Sequence, residues 1–99
     1  MLNHIVLMTF KDELSDSDRR IAGVKLKSGL ENLADKVEGM LEIHVENILT
    51  EDSTADLLLT CKFTDERGLN NLKTTPLMFN IKPVIDSSLG RIHTASYHV

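Results

Sequence analysis

Several residue types on which common sites and folds depend are scarce in this chain. It has one cysteine, Cys61, and no tryptophan among its 99 residues. A single cysteine excludes an internal disulfide and suits a reducing compartment, so the sequence favours a cytoplasmic protein. No apolar run approaches the roughly 20 residues that a membrane-spanning helix needs, and no signal peptide is predicted at the start. We therefore expect no membrane partner.

Positive charge is also scarce. The chain has 11 lysines and arginines against 15 aspartates and glutamates, a formal net charge of −4, and no basic run. This balance argues against a nucleic-acid partner, which would be held by neutralising phosphates. A hydrophobic fraction of 41% is ordinary for a globular protein. The length predicts one domain over residues 1–99.

Among the residues that are present, those at 4–10 predict the central strand of the fold. Apolar side chains occur there at both odd and even positions, and strand side chains alternate between faces. One face carries His4, Val6, Met8 and Phe10, and the other carries Ile5, Leu7 and Thr9. A strand that is apolar on both faces needs a cover on each. A short chain can supply helices for one face only, so the other face is predicted to meet a partner.

The rest of the chain predicts helices and strands in a simple order. The first expected elements are a helix over 16–37, closed by a left-handed Gly39, and a strand over 41–48 with Leu41, Ile43 and Val45 facing inward. A strand over 57–63 follows, and then a helix that begins at 64, breaks at Pro76 and resumes over 77–85. A turn over 87–90 and a strand over 91–99 complete the chain. With right-handed crossovers, this order gives a ferredoxin-like βαββαβ fold of class α+β. We expect a four-stranded antiparallel sheet with the helices on one face and the first and third strands in the middle.

Four segments carry a family resemblance that covers essentially the whole chain. They are residues 4–12 (HIVLMTFKD), the strand at 39–47, the helix break at 72–76 and the closing Ala95-Ser96-Tyr97. In these segments the chain resembles the stress-responsive A/B barrel domain family, of the dimeric α+β barrel superfamily. The resemblance implies two subunits packed sheet against sheet. It also implies a small pocket in each subunit, between its own sheet and helices.

The resemblance carries over a single catalytic residue. The plant polyketide cyclase of this family uses a histidine at the start of the first strand, which His4 matches. It also uses a tyrosine and a histidine near the helix break, where this chain has Leu72 and Met78; Thr75 replaces a neighbouring histidine, and Ser96 replaces a frequent acidic residue. Because Leu72 and Met78 cannot exchange a proton, the cyclase mechanism is not expected here. Haem-degrading relatives in the superfamily use a tryptophan, which this chain lacks.

Three other groups of residues could bear chemistry. His98 lies on a strand predicted beside the first and could approach His4, but no metal-ligand motif accompanies the pair, so no metal and no cofactor are expected. Cys61 lies in a buried strand and is interpreted as a core thiol. The polar face of the second strand, interpreted as a solvated edge, consists of Glu42, His44 and Glu46.

The sequence thus predicts a homodimer that binds a small, largely apolar molecule without demonstrable catalysis. The pocket candidates are His4, Val6, Met8, Phe10, Leu72, Met78 and Ser96. Two alternatives stay open. One is a small enzyme related to the cyclases, a lyase or isomerase with His4 as general base. The other is a structural stress protein that binds no ligand, in which the apolar candidates close the pocket and become ordinary core.

Overall fold

The computed structural model describes all 99 residues, Met1–Val99, as four strands and three helices. Strand β1 covers Leu2–Phe10, helix α1 Asp16–Glu31, strand β2 Met40–Glu46 and strand β3 Leu57–Phe63. Helix α2 covers Glu66–Thr74, a 3₁₀ turn Pro76–Asn80, helix α3 Lys82–Ser88 and strand β4 Leu89–His98. No helix combines the length and the apolar character that crossing a membrane demands.

The four strands form one antiparallel sheet in the order β2-β3-β1-β4. β1 and β3 therefore lie in the middle, and the predicted ferredoxin-like α+β fold is confirmed. The side chains of β1 alternate as expected. Val6 and Met8 are buried under the helices, whereas Ile5 is partly exposed and Leu7 is 42% exposed on the outer face.

Helix α1 is shorter than its apolar pattern predicts. Ser15 caps its first turn by accepting a hydrogen bond from the Asp18 backbone N–H at 3.1 Å, but the helix ends at Glu31 and not at residue 37. The following residues form turns, and Asp35 has a positive φ of 64°, which an α-helix does not tolerate. Leu33 and Val37 are nevertheless buried, because the turns keep them against the core.

Strand β2 contains an irregularity that reverses one predicted side chain. Met40 pairs with Phe63 of β3, and Glu42 pairs with the next residue of β3, Lys62. Strand β2 therefore has one extra residue at this point, which is a β-bulge. Met40 is therefore buried and Leu41 is 51% exposed, which makes the predicted inward position of Leu41 wrong. The turn predicted at 87–90 is also absent, because α3 runs to Ser88 and β4 begins at the next residue.

Two glycines fix the start of α2 against the start of β2. Gly39 has a φ of +86°, and a Cβ placed on Gly68 would lie 2.7 Å from the Gly39 carbonyl oxygen. The Thr64 backbone N–H donates to that same oxygen at 2.9 Å. Neither glycine can take a side chain without moving backbone, so this contact sets where α2 lies over the sheet.

Candidate functional site

His4 is the one buried histidine, and it lies on the face of β1 that the helices cover. Its partners across the sheet are Cys61 on β3 and Ser96 on β4. The residue is 8% exposed, and its Nδ1 lies 2.5 Å from the Ser96 Oγ. Ser96 itself is exposed on the edge strand. The pair thus joins a buried imidazole to a hydroxyl that solvent can reach.

The surroundings of His4 favour its neutral form. Burial lowers the pKa of His4, because the charged imidazolium loses hydration, and the positive charge of Lys73 lowers it further. Lys73 lies in the last turn of α2, above this part of the sheet. At neutral pH the imidazole is therefore uncharged and has one nitrogen free to accept a proton.

A cavity of about 240 Å³ lies beside this pair, between α2 and the β1–β4 side of the sheet. Its lining residues are Leu2, Glu66, Leu69, Asn70, Ser96 and His98. Leu2 is buried and Leu69 packs against the core, so these two leucines form an apolar floor. The remaining side chains form a polar rim, on which His98 Nε2 lies 3.3 Å from Glu66 Oε1.

Sequence reasoning missed the contribution of α2 to this cavity. Glu66, Leu69 and Asn70 follow the i, i+3, i+4 spacing of one helix face, and Lys73 continues it by one further turn. That spacing was a usable signal. It did not identify the cavity, because the position of α2 over the sheet depends on the contact between the two glycines.

The residues at the positions that the resemblance assigns to the cyclase acid–base groups either pack in the core or hydrogen-bond to the neighbouring backbone. Leu72 is buried in the core, and Met78 is partly buried against it. The Thr75 hydroxyl accepts from the Leu77 backbone N–H at 3.3 Å and caps the 3₁₀ turn. None of the three presents a proton-transfer group to His4.

The other apolar candidates from β1 are also core residues. Val6, Met8 and Phe10 are all buried in the hydrophobic cluster. Of the seven candidate residues, the structure brings His4 and Ser96 into direct contact, and Ser96 lines the cavity.

His98 does not join His4 in a ligand set. It pairs with Leu2 in the sheet register, and its ring faces Glu66. No group of three or more histidine, cysteine, aspartate or glutamate side chains is close enough to hold a metal ion. Cys61 is buried, and burial raises the pKa of its thiol to about 12.

The outer face of the sheet holds a second, smaller recess of about 170 Å³. In it the Asn3 side-chain amide donates to the Tyr97 hydroxyl at 3.0 Å, while the Asn3 Oδ1 is buried without a hydrogen-bond partner. Lys62 and Glu42 lie in the same row of the sheet, 3.8 Å apart. A buried oxygen without a hydrogen-bond donor is uncommon in folded proteins.

Solved structures of low sequence identity share this fold. A dimeric protein of unknown function with a ferredoxin-like fold, from Bacteroides fragilis, superposes with a TM-score of 0.91 at 17% identity, over 99% of this chain and 95% of that one. An Arabidopsis thaliana protein gives 0.76 at 19% identity, over 100% and 95% of the two chains. An antibiotic biosynthesis monooxygenase gives 0.77 at 13% identity, over 100% and 98%.

Identities this low establish the fold alone, and no curated protein matches the sequence. The family is established by a different comparison. The family model of the stress responsive A/B barrel domain matches residues 2–97, nearly the full length. The resemblance found in the sequence is therefore confirmed, and this chain belongs to the stress-responsive A/B barrel domain family.

Proposed function

We propose that each subunit binds a small, largely apolar molecule in the cavity between α2 and β4. The observation that carries this proposal is the cavity itself, with Leu2 and Leu69 as its floor and Asn70 and Ser96 on its rim. An apolar surface with a few polar groups that converge on it is the usual character of a small-molecule site. A volume of about 240 Å³ suits a ligand smaller than a typical drug.

The charges around the cavity favour an uncharged ligand. The lowered pKa of His4 keeps its imidazole uncharged at neutral pH, and Lys73, the cation that contributes to this lowering, is not among the residues that line the cavity. On the opposite rim, Glu66 places a carboxylate beside His98. Together with a net charge of −4, this carboxylate opposes the entry of anions.

A small enzyme with His4 as general base is the second candidate. The observation that favours it is the neutral, buried imidazole, since a base that is uncharged at pH 7 can accept a proton. Leu72 and Met78 supply no acid opposite it.

The binding test uses phenol and toluene, two probes of similar size that differ by one hydroxyl. Both should shift the backbone amide signals of Leu69 and Ser96 in two-dimensional NMR. Ser96→Ala should weaken phenol binding by about 2–10-fold, the equivalent of one hydrogen bond, and leave toluene binding unchanged. Leu69→Trp should fill the cavity and abolish binding of both probes.

The matched control is Leu77→Trp, which places the same ring on an exposed site of the 3₁₀ turn, outside the cavity lining. It should bind both probes as the wild type does. If neither probe shifts these signals at millimolar concentration, the cavity binds no small apolar molecule and the structural role without a ligand gains support.

We also propose that the chain is a homodimer joined through the outer face of its sheet, in the cytoplasm. The partly exposed Ile5, Leu7 and Leu58 share that face, and monomers rarely expose large apolar patches. The unpartnered Asn3 Oδ1 on the same face supports a donor from a second copy. The Bacteroides fragilis protein with this fold is a dimer. The free, buried Cys61 suits a reducing compartment.

A further inference from the structure

Ser96 is the hydroxyl side chain that the fold places against His4. Its Oγ lies 2.5 Å from Nδ1, and this is the single hydrogen bond that the His4 ring makes within the protein. Ser96 is exposed and lines the cavity, whereas His4 is buried behind it. A hydroxyl that is open to a cavity and bonded to a buried imidazole has the arrangement of a nucleophile with its base.

The polar rim supplies a group that could stabilise developing negative charge. Asn70 lines the same cavity as Ser96, and its side-chain amide makes no hydrogen bond within the protein. An amide N–H that points to a carbonyl oxygen stabilises the oxyanion that forms when a nucleophile attacks the carbon. The floor formed by Leu2 and Leu69 suits a short apolar acyl chain. The Glu66 carboxylate disfavours an anionic substrate.

We propose that Ser96 and His4 form a nucleophile–base pair that transfers the acyl group of a small uncharged ester to water. The Ser96 Oγ attacks the ester carbonyl carbon, and its proton passes to His4 Nδ1. The ester C–O bond then breaks, and the alcohol leaves with that proton. A water molecule attacks the acyl-serine and gives a proton to His4, which returns it to the Ser96 oxygen as the carboxylic acid leaves.

This inference rests on the proposed ligand site, because the same cavity has to hold the ester. It adds what the binding proposal does not contain, a covalent intermediate on Ser96. Lowering of the His4 pKa by burial supports the step, since the imidazole is then free to accept the serine proton at neutral pH.

The direct test is labelling of the full chain with a fluorophosphonate, located by peptide mass spectrometry. We expect the label on Ser96 and not on Ser17, which is also exposed but has no histidine partner. His4→Gln should slow labelling of Ser96 by about 100-fold or more, the effect of losing a positioned base. Hydrolysis of p-nitrophenyl butyrate should fall in parallel and disappear in Ser96→Ala.

A second variant keeps the test decisive if His4→Gln does not fold. Ser96→Cys introduces a thiol next to His4, and Cys61 is a silent background because it is buried and the pKa of its thiol is about 12. Alkylation of the new thiol by iodoacetamide should reach half its maximal rate well below the ordinary thiol pKa of about 8.5. An ordinary profile centred near that value would overturn the proposal.

The outcomes also separate this inference from the binding proposal. If phenol and toluene bind but Ser96 takes no label, or takes no more than Ser17, acyl transfer is rejected and the ligand site stands. If Ser96 is unlabelled and neither probe binds, both proposals fail.

Discussion

A buried neutral histidine makes the stability of the protein depend on pH. His4 has a lower pKa in the folded protein than in the unfolded chain, where the ordinary value of 6.5 applies. Unfolding therefore takes up a proton as the pH falls from 6.5 toward the folded pKa, and the free energy of unfolding decreases over that interval. Above pH 6.5 the contribution of the neutral His4 to the free energy of unfolding is fully present.

His4→Gln should flatten this dependence. Chemical denaturation of the wild type between pH 7.5 and 5 should show a falling free energy of unfolding, and the variant should show a smaller fall. The exposed His44, His93 and His98 are common to both proteins, so their effects cancel in the difference. Parallel curves for the two proteins would show that His4 does not titrate as its burial implies.

Two residue positions lead us to expect no cyclase activity. By the family resemblance, Leu72 and Met78 correspond to positions that carry proton-transfer groups in the plant polyketide cyclase, and loss of one such group slows a reaction by about 10²–10⁴-fold. We expect no measurable turnover of tetraketide-type substrates by the wild type. The informative comparison is Leu72→Tyr combined with Met78→His, in which new activity would indicate a retained scaffold. Robust wild-type turnover would instead contradict this expectation and point to a different set of residues.

At the scale of elements, side chains of helix α1 bond the free backbone edge of strand β2. Lys27 and Glu31 form an i, i+4 pair at 3.0 Å on this helix. Glu31 accepts from the Val45 backbone N–H at 3.0 Å, and Lys27 donates to the Val45 carbonyl at 2.6 Å. The Val45 hydrogen bond and Lys27 lower the pKa of Glu31. Both backbone groups of an edge-strand residue are thereby occupied, which blocks pairing with a strand from another molecule.

Glu31→Gln should destabilise the protein by about 1 kcal/mol, because the charged acceptor of the Val45 N–H is lost. The effect should shrink below pH 4.5, as the wild-type carboxylate takes up its proton. Glu38→Gln is the matched control, since Glu38 is exposed and its side chain makes no hydrogen bond within the protein. The measurement is urea denaturation. Equal stability of the two variants would show that the charge of Glu31 contributes nothing to the α1–β2 contact.

The sequence predicted the elements well where one pattern decided the structure. Apolar residues on both faces of β1 were sufficient to place it in the middle of the sheet. The same reasoning failed at Leu41, because a bulge after Met40 shifts the register and no alternation pattern reveals a bulge. The contact between Glu31 and Val45 was not predicted either, because the two residues are 14 positions apart in sequence. The cavity could not be predicted beyond Ser96, since it depends on how α2 sits over β4.

At the scale of the whole molecule, the proposed homodimer depends on the outer sheet face. Leu7 pairs with Leu58 across the two central strands of this face. A lysine at the centre of a buried apolar contact would have to lose its hydration without a partner. Leu7→Lys should therefore give a monomer or an aggregate, while the wild type sediments as a dimer at micromolar concentration.

The control for this prediction is Val24→Lys. Val24 is 56% exposed on α1, on the opposite side of the molecule from the outer sheet face, and its replacement should leave the dimer intact. A wild-type monomer in analytical ultracentrifugation would refute the homodimer. Loss of the dimer in Val24→Lys alone would move the interface to the helices.

The helices cover the sheet unevenly, and this has a kinetic consequence. Beyond Leu89, every residue of β4 is exposed, including Ile92, Thr94 and Ser96 on the face that the helices cover elsewhere. One wall of the cavity is thus an uncovered edge strand, so a molecule entering along it displaces water and no core side chain. Entry needs no opening step, and the observed association rate should rise linearly with ligand concentration in stopped-flow experiments, without the plateau that a slow conformational change imposes.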